Sequence, residues 1–326
     1  MITIALFNNK GGVGKTTLAY HLAHMLERLG HRVLAVDLDP QANLTAAFFD
    51  EDTLEAVWDE TVYGKTVLTC VQPILDGTGD IASPEPLRLG KGLDLFILCG
   101  DLGLSRFEDK LSESWPKGFA NDQAALRTTS AFYRMIQHAG AARGVDIVLV
   151  DVGPNLGAIN RAALLAADFL LVPLAADLFS LQGLKNLGPT VRKWREIWSN
   201  MRSMATTEFA LPTGQMRPLG YVMLQHAVRA DRPAKWYEKW LHRVPEVYRS
   251  AVLNEPEDRE DHCLATLRNY RSLMPMAQEA RKPMFDLTPA DGAIGSHAQL
   301  VRVCEKDFRE LALKIVEAAG HVKLKD

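Results

Sequence analysis

Ile2-Thr3-Ile4-Ala5-Leu6-Phe7-Asn8-Asn9-Lys10-Gly11-Gly12-Val13-Gly14-Lys15-Thr16-Thr17 runs a continuous apolar strand into a glycine-rich turn and then into a helix. That strand-loop-helix frame is what a phosphate-binding loop requires. Glycines let the backbone wrap closely around phosphate oxygens, while successive N–H groups and the helix N-terminus supply donors and partial positive charge. Lys15 then reaches the β- and γ-phosphates, and the Thr16 hydroxyl is placed to ligate Mg²⁺. Gly11, Gly12, Val13 and Gly14 form the cradle, and Thr17 is expected to donate to the α-phosphate.

Outward from this loop, Leu18, Leu22, Leu26 and Leu29 recur at three and four residues and stop at Gly30, the pattern of a helix and its end. Further apolar runs at Val33–Val36, Leu93–Leu98, Ile147–Val150, Phe169–Val172 and Leu219–Leu224 are continuous rather than alternating, so they suit strands buried on both faces. The expected fold is α/β, a doubly wound, mostly parallel sheet with helices on both faces. Length alone allows one domain or two. We expect a single domain over 1–326, with a turn-rich elaboration at about 51–130 around one strand and a basic helical region at about 185–282. Leu300, Val303, Leu311 and Ile315 predict a C-terminal amphipathic helix docked on the body.

Two acidic stretches follow strands. In Val36-Asp37-Leu38-Asp39-Pro40, residues two apart share a strand face, so Asp37 and Asp39 project together at the carboxyl end, where open α/β sheets bind ligands. Taken alone, the same residues also read as a turn closing a strand. Ile147-Val148-Leu149-Val150-Asp151-Val152-Gly153-Pro154-Asn155 is a buried-type strand ending in an acid.

The ordinary pattern G-x-x-x-x-G-K-[ST] wants glycine at position 9, where this chain has Asn9. It carries instead a second lysine, Lys10, and the whole of KGGVGKTT resembles the deviant Walker A signature of the ParA/MinD family of P-loop ATPases. Asp37 and Asp39 are similar to that family's second acidic motif. Asp151 looks like the end of a Walker B strand followed by switch II, although Gly153 stands where the family more often has a proline. Pro173 to Leu184 resembles the ParA branch, so the likeness covers residues 2 to about 184. The resemblance implies ATP and Mg²⁺ as cofactors. Asp39 would position or deprotonate the attacking water, Asp37 would support Mg²⁺ and its loop, and Asp151 would hold Mg²⁺ through a water. It also implies that Lys10 crosses a two-fold interface to the nucleotide of a second copy, so that ATP joins a homodimer and hydrolysis releases it.

The 326 residues are 47% hydrophobic and 24% charged, which excludes a disordered or fibrous chain. Net charge is −3, too small for a molecule-wide field. It is uneven, however: residues 185–282 hold 17 basic and 11 acidic side chains, whereas residues 1–184 hold 14 and 22. Arg192, Lys193 and Arg195 fall in one helical pattern, and Arg229, Arg232, Lys235, Lys239 and Arg243 in another. These eight are the candidate contacts for nonspecific DNA, because basic groups that neutralise phosphates release counterions. They also read as an ordinary solvated surface. Trp236 and Trp240 face away from Lys235 and Lys239, and packing explains them better than base stacking.

Four scattered cysteines suggest neither a zinc site nor a disulfide framework, which fits a reducing, cytoplasmic setting, nucleoid-associated where DNA binding holds. No exported leader or membrane span is read. The polar ending Glu317 to Asp326 lacks the amphipathic basic helix of a membrane-cycling relative. The expected function is an ATP-binding and hydrolysing dimerisation switch that positions or partitions DNA or other cargo, with a ParB-like activating or adaptor protein as partner. The alternative is a nucleotide-gated regulator acting on a protein partner without DNA.

Overall fold

The computed structural model describes residues 1–58, 64–224, 234–257 and 260–323. Eight strands form one sheet in the order β3-β4-β2-β5-β1-β6-β7-β8. They are β1 (Ile2–Leu6), β2 (Val33–Asp37), β3 (Leu87–Arg88), β4 (Leu95–Leu98), β5 (Ile147–Asp151), β6 (Phe169–Ala175), β7 (Arg217–Leu224) and β8 (Cys263–Leu267). All neighbours are parallel except β3, a two-residue strand antiparallel to β4 at one edge. The six apolar runs read from the sequence are the six inner strands. The two edge strands escaped that reading: β3 is too short to show a period, and β8 is only partly buried, so neither presents a continuous apolar run.

Strand alternation splits the core into two layers. Ile4 and Leu6 of β1, Val33 and Ala35 of β2, and Ile147 and Leu149 of β5 face one layer with helix α1 (Lys15–Arg28). Ala5, Leu34, Val36, Val148 and Val150 face the other. The α1 layer is completed by the helices Asn43–Phe48, Leu273–Ala280 and Ser296–Lys323. The last of these is the expected C-terminal helix, with Cys304, Phe308, Leu311 and Ile315 buried.

In residues 51–130 the pieces 76–80 and 83–86 are turn or irregular, and helices lie before and after them. The stretch holds the helices Val67–Leu75, Phe107–Lys117 and Gln123–Thr129, while the helix Glu51–Val57 buries Val57 in the α1 layer. Val67, Leu68, Leu104, Phe107 and Leu126 enter the core of the opposite layer. Prolines 73 and 116 sit inside two of these helices.

The chain leaves β1 for β2 on one side, returns to insert β5 between them, and then continues to β6 on β1's other side. The winding therefore reverses at β1, and the crevice at the carboxyl ends of its neighbours is where such sheets bind ligands. Register places Asp37 beside Asp151, and Asp151 beside Leu6. Continuing the alternation, both acids point to the α1 side, toward the loop that follows β1.

Candidate functional site

Helix α1 starts at Lys15 because Gly14 closes the turn in the left-handed region, with φ +90. A side chain there would be strained, and a Cβ would also stand 3.3 Å from Leu224 Cδ1. Within α1, Met284 N–H donates to His21 Nε2 at 3.0 Å, so the ring proton sits on Nδ1 and is shared with Thr17 O at 2.7 Å. Burial pushes His21 down to about 4, which keeps this imidazole neutral and the first turn of α1 anchored.

The loop opens onto a cleft of about 680 Å³ lined by Gly11 through Thr17, Asp39 and Pro154. Lys15 is buried, and that burial lowers its pKa while the charges of Asp151 and Asp39 raise it. Thr16 Oγ1 donates to Asp151 Oδ2 at 2.6 Å. The other oxygen, Asp151 Oδ1, is buried without a hydrogen-bond partner. Burial first, and Asp37 second, push the Asp151 carboxyl up to about 8.

The site thus holds an under-compensated carboxylate beside a threonine hydroxyl at the mouth of a phosphate loop. That oxygen set fits Mg²⁺, which keeps several waters and takes further ligands from phosphates. Among the described residues no cluster of three or more His, Cys, Asp and Glu side chains forms a preformed metal cage.

Of the four expected metal residues, Thr16 and Asp39 line the cleft, Asp151 is fully buried and reaches it through Thr16, and Asp37 differs. Asp37 Oδ2 accepts from Thr45 N and Thr45 Oγ1, both at 2.8 Å, and Oδ1 accepts from Asp39 N at 3.3 Å. Its carboxyl is fully buried and, despite these bonds, pushed up to about 6. Asp37 therefore shapes the loop carrying Asp39 and adds to the local negative field, with both oxygens already engaged. Asp39 lines the cleft, its Oδ1 accepting from Gln41 N at 3.0 Å.

Lys10 does not point at its own phosphate loop. Its ammonium pairs with Asp177 Oδ2 and lies 5.9 Å from the Phe179 ring centre. Asp177 is the N-cap of the long helix Leu178–Met204, where its Oδ1 accepts from Ser180 N at 2.8 Å. Burial raises the Asp177 pKa, but the bonds from Lys10 and Ser180 outweigh it and hold the carboxyl below its ordinary value. Beside it, Leu178 and Phe179 are exposed, Phe179 by 72%.

The eight basic candidates do not form one uniform surface. Arg192 Nη1 donates to Ala251 O and Val252 O at 2.6 and 3.1 Å, and Arg195 Nη2 to Met216 O at 2.9 Å. Both guanidinium groups tie the long helix to neighbouring main chain. Lys193 and Arg243 are exposed, and Arg243 stacks 5.5 Å over Trp240, a buried core residue as its packing role requires. Lys235 and Lys239 lie on the helix Ala234–Val247, and Arg229 and Arg232 fall outside the described residues.

Sequence reasoning missed the far wall of the cleft, made by Asn43, Gln41 and the segment Met274, Ala277, Gln278, Arg281 and Lys282 after β8. It has no glycine-rich or acidic signature; only the packing of the helix Leu273–Ala280 in the α1 layer brings it near Thr17 and Tyr20.

A family model described as AAA domain (AAA_31) matches residues 1–203. The sporulation initiation inhibitor protein Soj of Bacillus subtilis is 30% identical over 190 residues, 58% of this chain and 64% of Soj. Similar figures hold for the chromosome partitioning protein ParA of Caulobacter vibrioides, 31% over 194 residues, 59% and 62% of the two chains. The chromosome-partitioning ATPase Soj of Thermus thermophilus is 33% identical over 192 residues, again 59% and 62%. The chain spans about half to two thirds of the length of these curated relatives. Among solved structures, a protein from Corynebacterium diphtheriae matches with TM-score 0.73 and 24% identity, over 98% of both chains. A complex of a Cyanothece McdA variant with ATP matches with TM-score 0.65 and 18% identity, over 98% and 96%. At these identities the structural likeness is one of fold.

Proposed function

The chain belongs to the AAA_31 family of AAA domains, the ParA-type P-loop ATPases, and from that premise we propose that it is an ATP-hydrolysing dimerisation switch that positions or partitions cargo. One observation carries the reading: Lys15, Thr16 and Asp39 line one cleft at the carboxyl edge of the sheet, and the buried Asp151, from a third segment, accepts a hydrogen bond from Thr16. The partitioning roles of Soj and ParA support the cellular task.

Phosphoryl transfer needs positioning and charge neutralisation more than covalent chemistry. Loop N–H groups from Gly11 to Thr17 cradle the phosphates, and Lys15 neutralises charge on the β- and γ-oxygens. Thr16 and Asp151 would hold Mg²⁺, which when bound supplies further positive charge between those oxygens. Asp39, in the cleft and near Gly153, orients the attacking water and accepts its proton. Lys10, leaving its pairing with Asp177, reaches the nucleotide of a second copy. Each triphosphate is then part of the interface, and its hydrolysis separates the two protomers.

The test is the mass in solution with Mg²⁺ and ATP against ADP, run beside retention on a DNA column over a salt series. A dimer with ATP alone, retained in a salt-sensitive way, supports the switch acting on nonspecific DNA. An ATP dimer with flat retention supports the second reading, a switch working through a protein partner. The engagement of Arg192 and Arg195 with main-chain carbonyls favours that second reading, because it removes two of the expected phosphate contacts. A monomer in both nucleotides overturns both readings. Among the described residues no helix is long and apolar enough to cross a membrane.

A further inference from the structure

Asp151 is followed by the loop 152–157, which turns into the helix Ala158–Leu165. This loop touches both halves of the cleft. Pro154 lines it, and a Cβ on Gly11 would meet Pro154 Cγ at 3.8 Å; a Cβ on Gly153 would stand 3.4 Å from Asp39 Oδ1. The loop therefore lies against the phosphate cradle on one side and the water-orienting acid on the other.

Its conformation is held by one side chain outside the motifs. Asn160 is buried, 1% exposed, on the first turn of the helix. Its Nδ2 donates back to Gly153 O at 2.8 Å and Asn155 O at 2.6 Å, with Asn155 Oδ1 at 3.2 Å. Asn155 Oδ1 in turn accepts from Gly157 N at 2.8 Å. One amide group thus closes the loop onto its own helix.

The helix cannot easily shift to loosen this closure. Glu108, on the helix Phe107–Lys117, accepts from Ala158 N at 2.5 Å and Ile159 N at 2.8 Å, capping its start. Gly157 leaves room for that carboxylate, since a Cβ there would stand 2.6 Å from Glu108 Oε1 and displace it.

We propose that Asn160 is a positioning residue for hydrolysis: its amide sets the loop 153–155 against Asp39 and the phosphate cradle, so that the water site is formed before the nucleotide arrives. The inference rests on the ATPase reading above and names a residue that reading does not use. Because the amide's hydrogen bonds go to the loop and none to the phosphate cradle, its effect is expected on turnover more than on nucleotide capture.

The experiment measures ATP affinity by calorimetry and kcat by phosphate release for the full chain, Asn160→Asp and Asn160→Ala. Asn160→Asp keeps the shape but replaces the donor with an oxygen that faces two carbonyls. We expect kcat to fall about tenfold or more in both variants while affinity for ATP stays within about twofold. Amide exchange in the loop 153–157 should accelerate, with α1 unchanged. If Asn160→Ala does not fold, the isosteric variant alone decides. Wild-type turnover in Asn160→Asp overturns the assignment, as does a loss confined to affinity with kcat preserved. A wild-type chain that binds ATP without turning it over overturns the ATPase reading itself.

Discussion

Replacing Asp177 by asparagine isolates what the pairing with Lys10 does. The substitution keeps a good N-cap for the helix Leu178–Met204, since an amide oxygen still accepts from Ser180 N, and it removes only the charge that holds the Lys10 ammonium. The two side chains are 27% and 20% exposed, so the pair is partly shielded and stabilises the in-chain position of Lys10 by roughly 1 kcal/mol. If Lys10 must leave Asp177 to reach a second copy, each protomer gives up that amount on dimerising. Removing it from both protomers should raise the dimer association constant by about 5 × 5, or ~25-fold, at fixed ATP. The assay is mass photometry or light scattering over a protein dilution series with Mg²⁺ and ATP, repeated in Lys10→Ala and in the double variant. In the Lys10→Ala background Asp177→Asn should have no effect, which closes the cycle. An unchanged or weaker dimer in Asp177→Asn would refute the competition between the in-chain and cross-subunit positions of Lys10.

Three further outcomes follow from the geometry. Asp39→Ala should leave ATP binding intact and lower kcat at least about a hundredfold, leaving a long-lived ATP dimer seen by mass. The Asp151 carboxyl is raised from 3.8 to about 8, so the folded chain holds a proton that the unfolded chain releases; its contribution is complete below 3.8 and lost as pH climbs to about 8. Asp151→Asn should therefore flatten the fall in Tm of the nucleotide-free chain between pH 5 and pH 8, read by scanning calorimetry. Gly188→Ala would put a Cβ 1.8 Å from Ala251 O, where the long helix crosses the segment Tyr248–Leu253. It should cost about 3 kcal/mol, measured by urea unfolding, without changing ATP affinity in the variant that remains folded.

The phosphate loop was legible because the residues that make it are contiguous. A strand, a glycine turn and a helix start within sixteen residues fix where Lys15 and Thr16 go, whereas Asp39 lies past the end of β2 and strand alternation places only Asp37. The six inner strands were legible for a related reason, since burial on both faces writes a continuous apolar run. The edge strands β3 and β8 leave no such run. Residues 51–130 are short helices separated by turns, and packing rather than a long local period places them.

What sequence alone determined, then, is the chemistry each local segment carries. Only the folded sheet decided which segments meet. Lys10 finds Asp177 across 167 positions of chain, Glu108 caps a helix 50 residues later, and Arg192 turns to carbonyls some 60 residues on. Such pairings depend on strand order and layer packing, which bring distant residues together after their local structure is set; a local pattern reports the period of one element and carries no address for its partner.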